Sequence, residues 1–153
     1  MSAVVFRKAR LEDVPAIIAL LADDVRGKGR EIPGVPLDLR YYRAFEAMEA
    51  MPGCCQLVGV AGEAIIACAQ LIITPGLSNL GATRATIEGV RVAAGLRRQG
   101  FGELLVGHMV QLARQAGCAT LRLTTDKSRR DAQRFYARLG FENSHEGFKL
   151  NLN

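Results

Sequence analysis

The sequence predicts an α/β domain in which helices are interleaved with the strands of one mixed sheet. Short β-type runs alternate along the chain with segments whose apolar residues recur at helical spacing. The length of 153 residues suits one domain with a single core. No internal repeat or low-complexity tract divides the sequence. We therefore expect residues 1–153 to form one domain of mixed α/β class.

The first half of the chain is expected to contain two helices and three strands. Asp13 and Asp38 are candidate helix caps, Pro15 suits the first turn of a helix, and Gly62-Glu63 suits a hairpin turn. The expected elements are a strand at Val4–Arg7, a helix from Asp13 to Leu21, a loop at Gly27–Pro36, a helix at Leu39–Met51, and a hairpin of Gln56–Ala61 and Ala64–Ile73.

The second half continues the alternation after the break at Pro75-Gly76. The expected elements are a loop to Thr83, strands at Arg84–Val92 and Leu121–Thr125, helices from Phe101 to Ala116 and from Ala132 to Leu139, and two short strands between Phe141 and Leu152. The longer helix carries an apolar stripe formed by Phe101, Leu104, Leu105, Met109, Leu112, Ala113 and Ala116. His108 falls on this stripe and is expected to be a packing residue.

Composition and charge narrow the function classes. The net charge of +5 and the pI of about 9.3 fit an anionic partner, such as nucleic acid, a membrane surface or a phosphorylated cofactor. The arginines form two local groups rather than a long stripe, and 6% aromatic residues offer few stacking platforms, which argues against nucleic acid. No apolar run of membrane-spanning length and no signal-peptide core occur, so we expect a cytoplasmic protein with no membrane partner.

The cysteines indicate neither a metal site nor a disulfide framework. Cys54, Cys55, Cys68 and Cys118 form no C-x-x-C pair, and the sequence has only two histidines. We expect reduced, partly buried thiols and no bound metal.

The most informative segment is a basic, glycine-rich turn between a strand and a helix. It runs from Val90 to Gly102 and contains Arg97, Arg98 and Gly100. The first amides of a helix lack internal partners, and glycines allow a phosphate to approach the backbone. The turn therefore suits a pyrophosphate, although spacing alone also permits a plain tight turn with solvated arginines. It is neither a Walker loop nor a complete G-x-G-x-x-G fingerprint.

Two motifs resemble the GNAT superfamily of N-acetyltransferases. Arg97-Arg98-Gln99-Gly100-Phe101-Gly102 matches the family's R/Q-x-x-G-x-G/A signature, and the segment from Ala132 to Phe141 resembles its A-x-x-F-Y-x-x-x-G-F motif. The resemblance implies the GNAT fold, in which a mixed central sheet with splayed fourth and fifth strands is flanked by about four helices. It also implies an acetyl-CoA-dependent N-acetyltransferase that transfers the acetyl group directly to an amine.

The resemblance also implies which residues hold the co-substrate. In this family the signature loop binds the pyrophosphate of coenzyme A and the fourth strand pairs with the pantetheine arm. Carried over, these contacts fall on Val90, Arg91, Val92, Arg97, Arg98, Gln99, Gly100, Phe101 and Gly102. Arg129 stands where many members have a cofactor-contacting asparagine; it could reach a phosphate or the pantetheine, or face solvent.

The leading catalytic candidates are Glu88 and Tyr136. Glu88 lies between Ile87 and Val90 in a strand expected to be central, where burial would raise the pKa of its carboxyl toward that of a useful base. The alternative is a structural glutamate paired with an arginine such as Arg84 or Arg91. Tyr136 matches the family tyrosine that donates a proton or a hydrogen bond to the departing thiolate of coenzyme A; the alternative is a core tyrosine with a satisfied hydroxyl. His145 is a further candidate base.

The acceptor is not identified by the sequence. The first two helices and their loop, which shape the acceptor site in this fold, carry mixed charge, including Asp23 and Asp24. A small-molecule or peptide amine is expected as the partner, and a homodimer is compatible with the fold. Two other functions stay open: a non-catalytic GNAT-fold sensor or regulator that binds acetyl-CoA, and a nucleic-acid-binding regulator.

Overall fold

The computed structural model describes residues 3–153, and within them it has one five-stranded sheet. The strands are β1 (Val4–Lys8), β2 (Cys54–Ala61), β3 (Ala64–Thr74), β4 (Arg84–Val92) and β5 (Thr120–Leu123). The α-helices are α1 (Val14–Ala22), α2 (Leu39–Ala50), α3 (Ser78–Gly81), α4 (Phe101–Gln115) and α5 (Arg130–Arg138). Short 3₁₀ turns lie at Leu11–Asp13, Gly27–Gly29 and Ala94–Leu96.

The chain divides into two compact units, Met1–Arg122 and Leu123–Asn153. The first unit contains α1 to α4 and all of the sheet except the last residue of β5. The second contains α5 and the C-terminal segment.

The strands follow one another across the sheet in chain order, β1 to β5. The first three pairings are antiparallel, and the helical connection through α4 makes β4 and β5 parallel. The predicted hairpin is confirmed, with Ala61 opposite Ala64 on either side of the Gly62 turn. The mixed α/β class predicted from the sequence is therefore confirmed.

The two faces of the sheet are covered by different helices. Val58 and Cys68 are paired neighbours on β2 and β3, and they pack in one cluster with residues of α1 and α2, including Ile17 and Phe45. Since side chains alternate along a strand, Phe6 points to the opposite face from Arg7, which is opposite Val58. His108 of α4 stacks on Phe6 with ring centroids 5.4 Å apart, so α4 covers the second face and the packing role predicted for His108 is confirmed.

Helix α4 buries a narrower stripe than the sequence predicts. Leu105, Met109 and Ala113 are buried, as expected from their spacing, and Val106 is buried with them. Leu104, expected on the stripe, is 55% exposed. Leu104 lies next to the apolar stripe around the helix axis, but the face of α4 that contacts the sheet is centred on Leu105 and Met109.

The two predicted caps differ. Asp38 caps α2 as predicted, because its carboxylate accepts a hydrogen bond from the Arg40 amide at 2.9 Å. Asp13 precedes α1 but makes no side-chain cap to it. It is buried, accepts from the Arg10 amide at 2.7 Å and forms an ion pair with Arg7, also at 2.7 Å. Its role is to hold the end of β1 against the turn before α1.

The two strands predicted between Phe141 and Leu152 are wrong for this structure. Residues 141–153 are all described and contain no regular element. The alternation of Phe148, Leu150 and Leu152 suggested a strand, but the three side chains are exposed and no strand pairs with this segment. An alternating sequence forms a strand only where a neighbouring strand supplies hydrogen-bond partners.

Within residues 3–153, no helix combines the length and apolar character needed to cross a bilayer. All four cysteines are free thiols, as predicted. Cys68 is buried between β2 and β4, and burial raises the pKa of its thiol to about 12. It therefore behaves as a small apolar core residue.

Candidate active site

The turn between β4 and α4 has the geometry of an anion site. Gly100 is the N-cap of α4 and has a φ of +86°, a conformation that glycine adopts without strain. A Cβ added there would meet no atom within 4 Å, so the space beside the helix start is open. The amides of the first turn of α4 have no partner in a preceding turn. A pyrophosphate therefore fits against the backbone at this point.

The two arginines of the turn have different surroundings. The guanidinium of Arg97 donates to the carbonyl oxygens of Val92 at 3.1 Å and Asp23 at 2.7 Å, so it joins the turn to the end of α1. Arg98 is exposed, has a φ of +63° and forms no ion pair with any described residue. Of the two side chains, Arg98 is thus the one left to meet an anion.

The C-terminal part of β4 projects beyond β5. The Ala119 amide donates to the Thr83 carbonyl, which sets the start of β5 beside the start of β4. β5 has four residues and β4 has nine. Because the two strands are parallel and start side by side, β5 ends near the level of Ile87. The backbone from Glu88 to Val92 therefore has a strand edge on that side that β5 is too short to cover. This edge includes the residues expected to pair with the pantetheine arm.

A β-bulge interrupts β4 before Arg91. Gln70 of β3 is opposite Glu88 and Cys68 is opposite Arg91, so two steps along β3 match three along β4. Gly89 absorbs the bend with a φ of +62°. The bulge places Glu88 and Arg91 on the same face of the sheet, the face that also carries α1 and α2.

Glu88 is more open than the sequence predicts. It is exposed rather than buried, because the helices on this face cover the neighbouring row of Val58 and Cys68. Neither Arg84 nor Arg91 forms an ion pair with it among residues 3–153. The expectation of burial is wrong, and the structural alternative of an arginine-paired glutamate does not occur here. The Glu88 side chain is therefore accessible to solvent.

Arg91 instead forms a buried ion pair with Asp24. Its guanidinium lies 2.8 Å from the Asp24 carboxylate, and the two side chains are 15% and 13% exposed. Asp24 also accepts hydrogen bonds from the amides of Arg26 and Gly27, at 2.7 and 2.6 Å. We call this arrangement the Asp24–Arg91 clasp. It fixes the segment after α1 to β4, so Asp24 serves the protein's own arginine rather than an acceptor amine.

The second unit contains Tyr136 and Arg129. Tyr136 lies on α5, is half-buried, and makes edge contacts with the rings of Phe135 at 5.0 Å and Phe141 at 5.7 Å. Arg129 is the N-cap residue of α5 and is half-buried. His145 lies in the irregular segment, is exposed, and its Nδ1 is 2.8 Å from the Ser144 hydroxyl.

Sequence reasoning missed the polar neighbours of Glu88. Gln56 of β2, Gln70 of β3 and Glu88 of β4 are directly opposite one another and form one row across three strands. We call them the polar row. The available signal was the isolated glutamine within each apolar strand, at Gln56 beside Leu57-Val58 and at Gln70 beside Leu71-Ile72. The strand register needed to join these residues is not encoded in any local pattern.

Comparison with known proteins identifies the family. Residues 20–141 match the acetyltransferase (GNAT) family, which is most of the chain. The protein therefore belongs to the GNAT acetyltransferases. The GNAT fold predicted from the sequence is thereby confirmed.

Particular relatives refine this result. A crystal structure described as a transcriptional regulator from Bacillus halodurans C-125 is 42% identical, has a TM-score of 0.95, and is matched over 98% of this chain and 100% of its own. The aminoglycoside N(6')-acetyltransferase type 1 of Serratia marcescens is 40% identical over 57 residues, which are 37% of this chain and 39% of that protein. The aminoalkylphosphonate N-acetyltransferase of Salmonella typhimurium is 40% identical over 62 residues, 40% of each. The chain thus matches about two fifths of each of these two enzymes.

Proposed function

We propose that the protein is an N-acetyltransferase that moves an acetyl group from acetyl-CoA to a primary amine by direct transfer in a ternary complex. The observation that carries the proposal is the arrangement along β4. An exposed carboxylate at Glu88 precedes an uncovered strand edge, and that edge leads into the turn at Gly100. A base, a site for an amide-rich arm and a phosphate site thus follow one another on a single strand and its turn.

The residues of the β4–α4 turn have the chemistry that coenzyme A would require. The open space at Gly100 and the exposed Arg98 favour the pyrophosphate, and the edge from Val90 to Val92, which β5 does not reach, can pair with the pantetheine arm as a strand would. The carbonyl oxygens of Val90 and Val92 already accept from the guanidiniums of Arg91 at 2.8 Å and Arg97 at 3.1 Å, so the arm would share these acceptors or displace the arginines. Gln99, Phe101 and Gly102 complete the turn, and Arg129 is a further candidate contact. Arg91 and Arg97 contribute through their backbones, since their side chains bind Asp24 and Asp23.

The catalytic roles follow from the needs of the reaction. The thioester of acetyl-CoA supplies an activated acetyl group. Glu88 takes a proton from the acceptor ammonium, directly or through water, because only the neutral amine has a lone pair for attack. The backbone at Val90 orients the thioester carbonyl. The Tyr136 hydroxyl donates a proton or a hydrogen bond to the departing thiolate, for which a phenol has a suitable pKa range.

The acceptor is proposed to be a small-molecule or peptide amine. The Serratia marcescens relative acts on an aminoglycoside and the Salmonella typhimurium relative on an aminoalkylphosphonate, and both substrates are amines. Because Asp24 is committed to Arg91, we expect Glu88 to be the carboxylate that meets the acceptor's positive charge. We expect the protein to work in the cytoplasm. We also expect it to form a homodimer, and light scattering, which measures the mass of the assembly, would test this.

A second candidate function rests on the Bacillus halodurans relative, which is described as a transcriptional regulator and matches nearly the whole chain. In that case the fold would bind acetyl-CoA without turnover and act as a sensor or regulator. The exposed, unpaired Glu88 favours the enzyme, since a pure binder has no need of a base there.

The test is a calorimetric titration with acetyl-CoA followed by an assay of free thiol release on a panel of amines. Binding with turnover on an amine is the expected result. Binding with no turnover on any amine would favour the sensor, and absence of binding would overturn the co-substrate assignment.

A further inference from the structure

The polar row lies where an apolar surface is expected. The neighbouring row on the same face, Val58 and Cys68, is fully buried beneath α1 and α2. Gln56 and Gln70 are half-buried beside it, and Glu88 is exposed. When one face of a sheet is partly covered, polar side chains on that face reduce the stability of the fold unless their hydrogen bonds are satisfied. Their partners therefore indicate which of them serve the fold and which are left for a ligand.

The two glutamines differ in their partners. The Gln56 amide nitrogen donates to the backbone carbonyl of Ala69 at 3.1 Å, so this residue is held by the sheet itself. The Gln70 amide nitrogen donates to the Cys54 sulfur at 3.3 Å, and sulfur is a weak acceptor. Within the described part of the chain, the side-chain carbonyl of Gln70 accepts no hydrogen bond. The Gln56 side-chain carbonyl accepts none from the described residues either, but Gln56 is on β2, two strands away from Glu88. Gln70 is directly opposite Glu88, so it is the member of the row whose free acceptor lies beside that carboxylate.

Gln70 is also within reach of anything that binds Glu88. Directly opposite residues of antiparallel strands have their Cβ atoms about 5 Å apart. An amine hydrogen-bonded to the Glu88 carboxylate therefore holds the substituents on its neighbouring carbons over the Gln70 amide. The Asp24–Arg91 clasp lies on the same face one row away and limits the space on that side.

We propose that Gln70 is a specificity-determining residue of the acceptor site and that it selects primary amines carrying a hydroxyl group on a carbon next to the amine-bearing carbon. The hydroxyl donates to the Gln70 carbonyl oxygen while Glu88 receives the amine. An alkylamine of the same shape leaves that oxygen without a partner once water is displaced, which lowers its affinity. This inference rests on the proposed function and adds the substrate class to it.

The test compares trans-aminocyclohexanol, with its hydroxyl on the adjacent carbon, and cyclohexylamine. The wild-type protein is expected to favour the amino alcohol about 3- to 10-fold in kcat/KM, as one uncharged hydrogen bond allows. Gln70→Leu is expected to abolish this preference through the KM of the amino alcohol, with kcat and the KM of acetyl-CoA little changed. Gln111→Leu, the same change at an exposed position of α4, is expected to retain the preference.

A binding measurement gives a readout that is independent of turnover. Each amine is titrated into protein saturated with coenzyme A, which carries no acetyl group to transfer. The wild type is expected to bind the amino alcohol more tightly than cyclohexylamine, and Gln70→Leu is expected to lose this difference in affinity. If that variant melts well below the wild type, Gln70→Met, which keeps an unbranched side chain, takes its place. Turnover by the wild type with no preference for the amino alcohol, or a preference retained in both Gln70 variants, would overturn this inference alone. No thiol release with any amine would overturn the proposed function itself.

Discussion

Glu88 and Tyr136 carry the proposed chemistry at the scale of single residues. Glu88 combines exposure with the absence of an arginine partner in the described chain, a combination that the sequence did not indicate. A carboxylate in that state can accept a proton without first breaking an ion pair. Tyr136 is held by ring contacts with Phe135 of α5 and with Phe141, which follows that helix. Its hydroxyl is the group that a phenylalanine would lack.

Replacing Glu88 with glutamine is expected to lower kcat about a hundredfold or more, because the acceptor ammonium loses its proton acceptor. Steady-state thiol release at saturating acetyl-CoA measures the effect. Glu63→Gln, the same change at the exposed hairpin turn, serves as the control and should match the wild type. Equal activity of the Glu88 variant would exclude it as the base.

Replacing Tyr136 with phenylalanine is expected to lower kcat about 10- to 100-fold, since the thiolate then departs without a proton donor. The affinity for acetyl-CoA, measured by calorimetry, should change little because the ring and its packing are kept. A large loss of affinity with unchanged kcat would instead indicate a binding or structural role.

At the scale of the secondary-structure elements, two connections fix the geometry of the proposed site. The turn from β4 to α4 depends on the left-handed backbone at Gly100, and the segment after α1 depends on the Asp24–Arg91 clasp. Arg97 adds a third link by bridging the turn and the end of α1. The turn proposed to bind coenzyme A and the segment after α1 are thus tied to the same strand, β4.

Replacing Gly100 with alanine is expected to weaken acetyl-CoA binding about tenfold. A side chain in the left-handed region costs about 1–2 kcal/mol, and the free protein relieves this strain by leaving the backbone conformation that presents the helix amides. Gly95→Ala is the matched control, since Gly95 lies just upstream, has equally open surroundings and does not have a positive φ. Calorimetric titration of both variants with acetyl-CoA tests this. Equal affinities would mean that the backbone at Gly100 does not shape the site.

Replacing Asp24 with asparagine is expected to lower the free energy of unfolding by about 3 kcal/mol, because Arg91 is left as a buried, unpaired charge. That loss corresponds to a fall in Tm of roughly 6–12 °C for a chain of this size. Asp23→Asn is the comparison, since the Asp23 carboxylate is 3.8 Å from Arg97 and both side chains are about half exposed. It should change Tm by only a degree or two. Similar melting of the two variants would show that the clasp adds little stability.

At the scale of the whole molecule, the stability of the fold should depend on acid pH through Asp13. The Arg7 guanidinium hydrogen-bonded to Asp13 lowers the pKa of that carboxyl, an effect only partly opposed by burial. A lowered folded-state pKa stabilises the protein above the unfolded value of about 4, and this stability is lost as pH falls through the folded value. Urea unfolding should therefore show a smaller loss between about pH 5 and about pH 3 in Asp13→Asn than in the wild type. Glu12→Gln, an exposed neighbour, should keep the wild-type slope.

The sequence predicted most elements of the fold because their signals are local. Helical spacing located α4, glycine marked its start, and Gly62-Glu63 marked the hairpin. The C-terminal strands failed because alternation at Phe148, Leu150 and Leu152 does not specify a pairing partner. The site followed the same rule. The signature turn is contiguous and could be predicted, whereas the polar row and the Asp24–Arg91 clasp join residues far apart in the chain.

The bulge in β4 determines which face of the sheet the side chains that follow it occupy. In a regular strand, residues three apart point in opposite directions, so Glu88 and Arg91 would be separated by the thickness of the sheet. The extra residue shifts the phase of the alternation and brings both charges to one surface. Deleting Gly89 would place Glu88 and Arg91 two residues apart, so both would stay on the same face of a regular strand and the bulge itself would be lost. The bulge thus lets two charged residues three positions apart share one face of the sheet, while the opposite face of β4 carries the buried apolar side chains of Ala85 and Ile87.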